Sequence, residues 1–225
     1  TTKEYFLKED GTVGVRENTV WGPDEYVVNV GPQHPSTHGV LHMRASLNGE
    51  VVNKVGLVLG YIHRGVEKIS ESMTYPQLLA MTDRLDYFSA MQNRHALCMC
   101  IEKAMGLEVS PRVQYIRTIM DELQRIASHL IYYGCMAMDT GALTAFFYTF
   151  REREQLMKIF EDNFGGRLIM NYNTIGGVMY DILPSFVKEV KEFEKALRKR
   201  FHEYQDIFTT NIIARQRMEG VGTIS

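Results

Sequence analysis

The chain has 225 residues, of which 45% are hydrophobic and 11% aromatic. That content is enough for the core of one large domain or, as the alternative, of two. Its formal net charge of −2 does not indicate a nucleic-acid partner. Three irregularly spaced cysteines argue against a disulfide framework and favour a reducing, intracellular compartment. No stretch approaches the roughly 20 apolar residues of a membrane span, and the polar, charged N-terminus does not resemble a signal peptide.

The first quarter of the sequence predicts a small antiparallel sheet behind an N-terminal leader. Residues 1–25 are mostly polar and predict an extended leader. Tyr26–Val30 is short and β-branched, which is typical of a strand. Residues 40–47 alternate in polarity up to Asn48-Gly49, the strongest short hairpin signal, and Val51–Leu59 supplies the returning strand.

The spacing of apolar residues becomes helical at Glu67, so we expect a β region over residues 26–66 and a helical bundle over residues 67–225. Ser110-Pro111 is a helix start signal, and Gly106 stands where a C-terminal cap belongs. The predicted helices are Tyr75–Arg84, Asp86–Met105, Ser110 to about Met138, Leu143–Phe164 and Pro184 to about Phe208. The fold class is therefore α+β, a small N-terminal antiparallel sheet or hairpin followed by a bundle of long helices.

Three histidines lie four residues apart in G-P-Q-H-P-S-T-H-G-V-L-H, at His34, His38 and His42. Pro35 and Gly39 break the helical register that would stack the three rings, and the predicted strand places His42 on a ladder. A loop can still bind a metal, although no carboxylate or cysteine lies nearby in the sequence. The pattern also fits a turn whose histidines bond the backbone, or a functional loop whose side chains titrate near neutral pH.

Charged residues also stand at predicted helix ends. D-R-L-D-Y, residues 83–87, places two carboxylates, a guanidinium and a phenol between two helices, as an interhelical salt-bridge cluster or a functional site would. In H-R-G-V-E-K, residues 63–68, Glu67 suits the first turn of a helix. Asp139 lies in the most apolar part of the chain, so its carboxylate is expected to need a partner, and a loop histidine would serve.

The cysteines are predicted to be buried structural thiols. Cys98 and Cys100 are two residues apart on a predicted helix and therefore point about 200° apart, while Cys135 is on another helix. An iron–sulfur cluster usually needs four thiolates, so no cluster is expected in this chain.

The motifs G-P-Q-H-P-S-T-H-G-V, H-R-G-V-E-K, D-R-L-D-Y, S-P-R-V-Q-Y-I-R and I-G-G-V occur in this order. Together they closely resemble the D-subunit family of NADH–quinone oxidoreductase, the peripheral-arm component of respiratory complex I that lines the quinone pocket. The resemblance runs from about Tyr26 to at least Asp181. Family members are nearly twice this length, so the chain is expected to be their N-terminal part.

The resemblance implies roles for particular residues. His38 and Tyr87 match the histidine and tyrosine that hold the quinone headgroup, and imidazolium and phenol can both donate a proton to a reduced carbonyl oxygen. Asp139 matches the aspartate that pairs with that histidine. His34 lies in the same loop and is expected to shape it. No residue of the chain is expected to bind a metal.

The resemblance also implies where the electrons come from. The chain itself would bind no cofactor, quinone would be its substrate, and the electrons would arrive from a four-iron cluster in the small iron–sulfur (B) subunit. Arg64 and Arg84 match arginines near that cluster, where positive charge raises its reduction potential. NADH and the flavin would be used elsewhere in the complex, and no G-x-G-x-x-G fingerprint occurs here.

The implied partners are the B, C and I subunits of the peripheral arm and the H subunit of the membrane arm, with no nucleic acid. The implied location is the cytoplasmic side of the inner (plasma) membrane, as a peripheral protein. The isolated chain is expected to be inactive, because its electron donor lies in another subunit.

Two departures from the family pattern bear on other possible functions. The related nickel–iron hydrogenase large subunits carry a C-x-x-C where this chain has Asp86 and Ser89. One alternative is therefore a membrane-associated, hydrogenase-related large subunit that lacks the thiolates that would bind nickel. A noncatalytic scaffold subunit is a second alternative. The family's G-x-R-x-H motif reads G-G-R-L-I here, with Ile169 replacing a histidine that titrates with the redox state of the cluster. A lower-potential quinone such as menaquinone would be compatible with that change.

Overall fold

The computed structural model describes residues 2–7, 13–18, 25–37 and 39–223. The chain divides into two compact units, Thr1–Gly65 and Val66–Ser225. His38 of the histidine loop lies outside the described residues.

The N-terminal residues that predict an extended leader contain a β-hairpin. Strand β1, Thr2–Leu7, pairs antiparallel with β2, Val13–Asn18, in a register from Thr2↔Asn18 to Leu7↔Val13. The sequence does carry a signal for it, since Asp10-Gly11 is a common hairpin turn dipeptide between the two strands.

The second sheet of the first unit confirms the predicted strands. Strands β3 (Tyr26–Val30), β4 (His42–Asn48) and β5 (Val51–Val58) are antiparallel in the order β3-β4-β5. Asn48 pairs with Val51, so the two-residue loop is Gly49-Glu50 and not Asn48-Gly49. Gly49 has φ +63°, a value that suits glycine at the first loop position of a type II′ turn.

The second unit is helical. Its described helices are α1 (Val66–Ser70), α2 (Tyr75–Thr82), α3 (Ala90–Met105), α4 (Pro111–Asp139), α5 (Leu143–Phe164), α6 (Phe186–Tyr204) and α7 (Ile212–Met218), with a π-helical turn at Gln205–Thr209. A short hairpin of β6 (Asn173–Thr174) and β7 (Gly177–Val178) lies between α5 and α6. Within the described residues, no helix is both long enough and apolar enough to cross a bilayer.

The predicted starts of α4 and α5 are confirmed, but α3 begins at Ala90 and not at Asp86. Asp86 is held in a turn, where its Oδ1 accepts from the Phe88 N–H at 3.1 Å and its carbonyl accepts from Asn93 Nδ2 at 3.0 Å. Such side-chain bonds compete with the helix ladder. The predicted last helix begins at Phe186, and the π-helical turn Gln205–Thr209 continues it from Tyr204 to the predicted end near Phe208.

The core of the second unit lies between α4, α5 and α6. Its fully buried members include Met120 from α4, Leu156, Phe160 and Phe164 from α5, and Phe186 from α6. This apolar core fixes the positions of the loops and helix ends that carry the candidate functional side chains.

Candidate functional site

The turn between α2 and α3 carries the D-R-L-D-Y motif and confirms that it lies at a helix junction. Asp83 is 1% exposed, and its Oδ2 lies 3.4 Å from Nη1 of Arg94 on α3. Burial raises the pKa of Asp83, although Arg94 and Arg84 act to lower it. The Asp83–Arg94 pair is therefore an interhelical ion pair, which is one of the two interpretations that the sequence of the motif allows.

Tyr87 and Arg84 belong to the same turn but are exposed, whereas Asp83 and Arg94 are buried. Tyr87 is 47% exposed, and its ring centroid lies 4.6 Å from that of Phe88. Its hydroxyl makes no hydrogen bond to another described residue. Arg84 is exposed and donates through Nη1 to the Ala80 carbonyl at 2.6 Å. The turn thus presents a phenol and a guanidinium that the packing of the core does not use.

Asp139 is the last residue of α4 and is exposed, not buried. Its place in the most apolar stretch of the sequence therefore does not put it in the core, because it stands at the end of the helix. Its negative charge still acts locally. The pKa of Cys135 is raised chiefly by burial and further by Asp139.

The histidine loop of the first unit is a short 3₁₀ turn, Pro35–Thr37, and not a continuous helix. The His34 carbonyl accepts from the Thr37 N–H at 3.1 Å and from its hydroxyl at 2.8 Å, while the His34 side chain is exposed. At Gly31, with φ +86°, an added Cβ would overlap the Leu41 carbonyl oxygen. The loop therefore depends on glycine at its start.

His42 lies on β4, as the sequence predicts. Its Nδ1 lies 3.1 Å from the Tyr61 hydroxyl, and its Nε2 lies 3.2 Å from Oδ1 of Asn29. Both ring nitrogens are thus occupied within the sheet region. His34 and the exposed Arg64 belong to the first unit, whereas Arg84, Tyr87 and Asp139 belong to the second.

The cysteines are placed as their helical spacing predicts. Cys98 is fully buried, and burial raises its pKa to about 11, while Cys100 is exposed on the opposite face of α3. The prediction of buried thiols is thus confirmed for Cys98 and wrong for Cys100. Within the part of the chain that the structure describes, no group of three or more His, Cys, Asp or Glu side chains could hold a metal ion.

A buried ion pair that the sequence did not reveal lies between α3 and α4. Arg117 is 1% exposed and donates to both carboxylate oxygens of Glu102, at 3.0 and 2.6 Å. Its Nη2 also donates to the carbonyls of Thr174 and Gly177, at 2.8 and 2.9 Å. The Gly176 N–H donates to Glu102 at 2.8 Å, so the pair fixes the β6–β7 hairpin against the two helices.

Arg94 holds the strand before that hairpin turn. Its Nε donates to the Asn173 carbonyl, and its Nη1 donates to Oδ1 of Asn171 at 3.1 Å. Asn171 has φ +49°, a conformation that asparagine adopts more readily than most residues. The only sequence signal for this network was that Arg94, Glu102 and Arg117 are charged residues in helices of mixed polarity.

An apolar groove of about 920 Å³ separates α4 and α6. Ile119, Leu123 and Ile126 line it on one side, and Phe193 and Leu197 line it on the other. The lining is otherwise partly polar and includes the charged side chains of Glu122, Glu194 and Arg198.

Comparison with known proteins defines the class of the chain. The family model for the 49 Kd subunit of respiratory-chain NADH dehydrogenase matches residues 139–225. The C/D subunit of NADH-quinone oxidoreductase from Bacteroides thetaiotaomicron is 66% identical over 225 residues, which are 100% of this chain and 42% of that protein. That of Bacteroides fragilis is 64% identical over the same share of each chain.

The D subunit of NADH-quinone oxidoreductase from Geobacillus kaustophilus is 45% identical over 199 residues, or 88% of this chain and 54% of that protein. The chain thus spans about half the length of the curated relatives it matches. Over that span, the chain belongs to the D-subunit family of NADH-quinone oxidoreductase, and the resemblance found in the sequence motifs is confirmed.

Proposed function

We propose that this chain forms part of the quinone-reduction site of respiratory complex I. The observation that carries the proposal is the 66% identity, over all 225 residues, to a relative named as the C/D subunit of NADH-quinone oxidoreductase. The reaction adds two electrons and two protons to a quinone. Within this chain, the work is to hold the headgroup and to supply protons.

The exposed turn between α2 and α3 supports a role for Tyr87. Its hydroxyl is free of bonds to described residues and can donate to a reduced quinone oxygen, as a general acid must. His38 is the second proton donor of the proposal, and His34 shapes its loop. Asp139 pairs with the imidazole of His38 and stabilises its charge, a role that its exposure at the end of α4 permits.

The electrons come from an iron–sulfur cluster in the small B subunit, and the exposed guanidinium groups of Arg64 and Arg84 lie near that cluster. NADH and the flavin act in other subunits. We propose the B, C and I subunits and the H subunit of the membrane arm as partners. The chain then sits as a peripheral protein on the cytoplasmic side of the inner (plasma) membrane, and alone it does not turn over quinone.

Replacing the two proton donors tests the proposal. In the intact complex, Tyr87→Phe and His38→Ala should each lower quinone reduction by about 100-fold, because each removes a positioned acid. NADH oxidation by ferricyanide, which bypasses the quinone site, should not change. Both rates can be measured on the same purified preparation.

Tyr115→Phe is a matched control, since Tyr115 is a 73% exposed tyrosine on α4. It should leave both rates unchanged. Normal quinone turnover in the Tyr87 and His38 variants would refute the assignment of these roles.

Two other functions make different predictions. A hydrogenase-related enzyme would contain stoichiometric nickel in elemental analysis, which Asp86 and Ser89 in place of thiolates do not favour. A noncatalytic scaffold for helices of partner subunits is favoured by the apolar groove between α4 and α6. A scaffold predicts that quinone does not protect the His38 loop from cross-linking in the whole complex, whereas a quinone site predicts protection.

A further inference from the structure

Arg153 of α5 has no acidic partner among the residues that the structure describes. Arg153 is partly buried, and its Nε is enclosed without a hydrogen-bond partner. Among the residues that the structure describes, no carboxylate lies within ion-pair distance of it. Its guanidinium carbon lies 5.8 Å from the centre of the Phe150 ring, which offers a weak cation–π contact and no counter-charge.

The neighbouring acidic side chains are already paired. Glu152 is buried and accepts from Arg151, whose Nη2 also donates to Glu203 at 3.0 Å. Glu154 accepts from Arg167 at 2.5 Å, and Arg167 also binds Glu161 at 3.0 Å. None of these carboxylates can turn to Arg153 without losing its present partner.

The surroundings of Arg153 make its positive charge costly. Burial lowers its pKa and the positive charge of Arg167 lowers it further, while the charge of Glu154 acts in the opposite direction. A partly desolvated cation of this kind is stable when a carboxylate approaches it. The apolar surface beside it is Phe150, which is 36% exposed.

We infer that Arg153 and Phe150 form a docking surface for an acidic segment of a partner subunit. A carboxylate of that segment would pair with the guanidinium of Arg153, and an apolar side chain next to it would cover the Phe150 ring. The charge complementarity selects an acidic partner over a basic or purely apolar one. This inference rests on the proposed function in one respect, since it requires that the chain works within a complex.

Zero-length cross-linking in the intact complex can identify the partner. In Arg153→Lys, the amine reaches the same position, and carbodiimide should join it to the facing carboxylate, which peptide mass spectrometry then locates. The expected product is a cross-link from position 153 to an Asp or Glu of another subunit. A cross-link to another part of the same polypeptide, or none at all, would overturn the inference.

Arg125→Lys is the matched control. Arg125 is an exposed arginine on α4 that pairs with Glu122 of the same helix at 3.0 Å, so its variant should cross-link only within this chain.

Reversing the charge gives a second measurement. Arg153→Glu should weaken binding of the partner subunit by about 30-fold or more, as expected when one member of a desolvated pair is lost. The loss is measured as reduced retention of that subunit during a salt wash.

Arg125→Glu should have little effect on that retention, and an equal loss would overturn the inference. Failure of the proposed function can be distinguished from failure of the docking surface. If the unaltered chain does not co-purify with other subunits, the proposed function fails. If it co-purifies but neither Arg153 variant behaves as stated, only the docking surface fails.

Discussion

At the scale of single residues, burial decides what each charged side chain does. Arg117 and Glu102 are both at most 5% exposed, and each satisfies the other through two hydrogen bonds. Removing one partner of such a pair leaves an uncompensated charge in the core. Tyr87 and Arg84, a few residues from the buried Asp83, are exposed to solvent.

Truncating Arg117 should therefore be severely destabilising. Arg117→Ala should lower the free energy of unfolding by about 3–5 kcal/mol, because Glu102 stays buried without its counter-charge and the β6–β7 hairpin loses two bonds. Urea unfolding followed by circular dichroism measures the effect. Arg125→Ala, at an exposed pair, should cost less than about 1 kcal/mol. Similar losses in both variants would contradict this account.

The same pair predicts a pH dependence. Hydrogen bonds from Arg117 hold the pKa of Glu102 below its ordinary value, so the folded state releases this proton more readily than the unfolded state. The stabilisation from ionised Glu102 is complete above the ordinary pKa of a glutamate and is lost as the pH falls through the lowered pKa. The stability difference between the unaltered chain and Glu102→Gln should shrink over that acidic range.

At the scale of elements, α4 and α5 approach closely at a glycine. A Cβ at Gly134 would overlap the hydroxyl of Thr149 and would lie 3.5 Å from Cα of Phe146. Thr149 is fully buried and donates to the Phe146 carbonyl at 2.8 Å, so it cannot swing away freely. The close packing of α4 against α5 thus explains why a glycine stands in the middle of α4, and flexibility is not the reason.

Gly134→Ala should destabilise the chain by about 1–3 kcal/mol, because overpacking outweighs the better helix propensity of alanine. Combining it with Thr149→Ala, which removes the clashing group, should recover part of the loss. A double-mutant cycle in urea measures the coupling between the two positions. Additive effects of the two substitutions would show that the close approach is not the cause.

At the scale of the whole molecule, the proposed function depends on a cluster in a neighbouring subunit. The resemblance implies that a histidine at the position of Ile169 would couple protonation to the redox state of the cluster in that subunit. Ile169 is partly buried and cannot titrate. We therefore expect the reduction potential of that cluster to be independent of pH in this complex.

Ile169→His tests that expectation. In the intact complex, the potential should become dependent on pH, with a slope of up to about 59 mV per unit for one electron coupled to one proton. Redox titration followed by electron paramagnetic resonance measures the slope at several pH values. Leu168→His, at the adjacent partly buried position, is the control and should show no slope. A pH-dependent potential in the unaltered complex would contradict the expectation.

Local signals in the sequence located most of the elements. Helical spacing located α4 and α5, and Ser110-Pro111 marked the start of α4, because helix periods and caps depend on residues a few positions apart. The same signals misplaced the start of α3 by four residues, since Asp86 bonds its own turn. The pairing of β1 with β2 was missed, although Asp10-Gly11, a common turn dipeptide, stands between the two strands in the sequence.

The sequence by itself determined the family, the strands β3 to β5, the long helices and the residues proposed to bind quinone, because these depend on short motifs and local spacing. Only the tertiary structure decided which charges are buried. It paired Asp83 with Arg94, enclosed Arg117 with Glu102, exposed Asp139 and left Arg153 without a carboxylate partner among the described residues. The physical reason is that burial depends on what packs across from a residue, and those neighbours lie far away in the sequence.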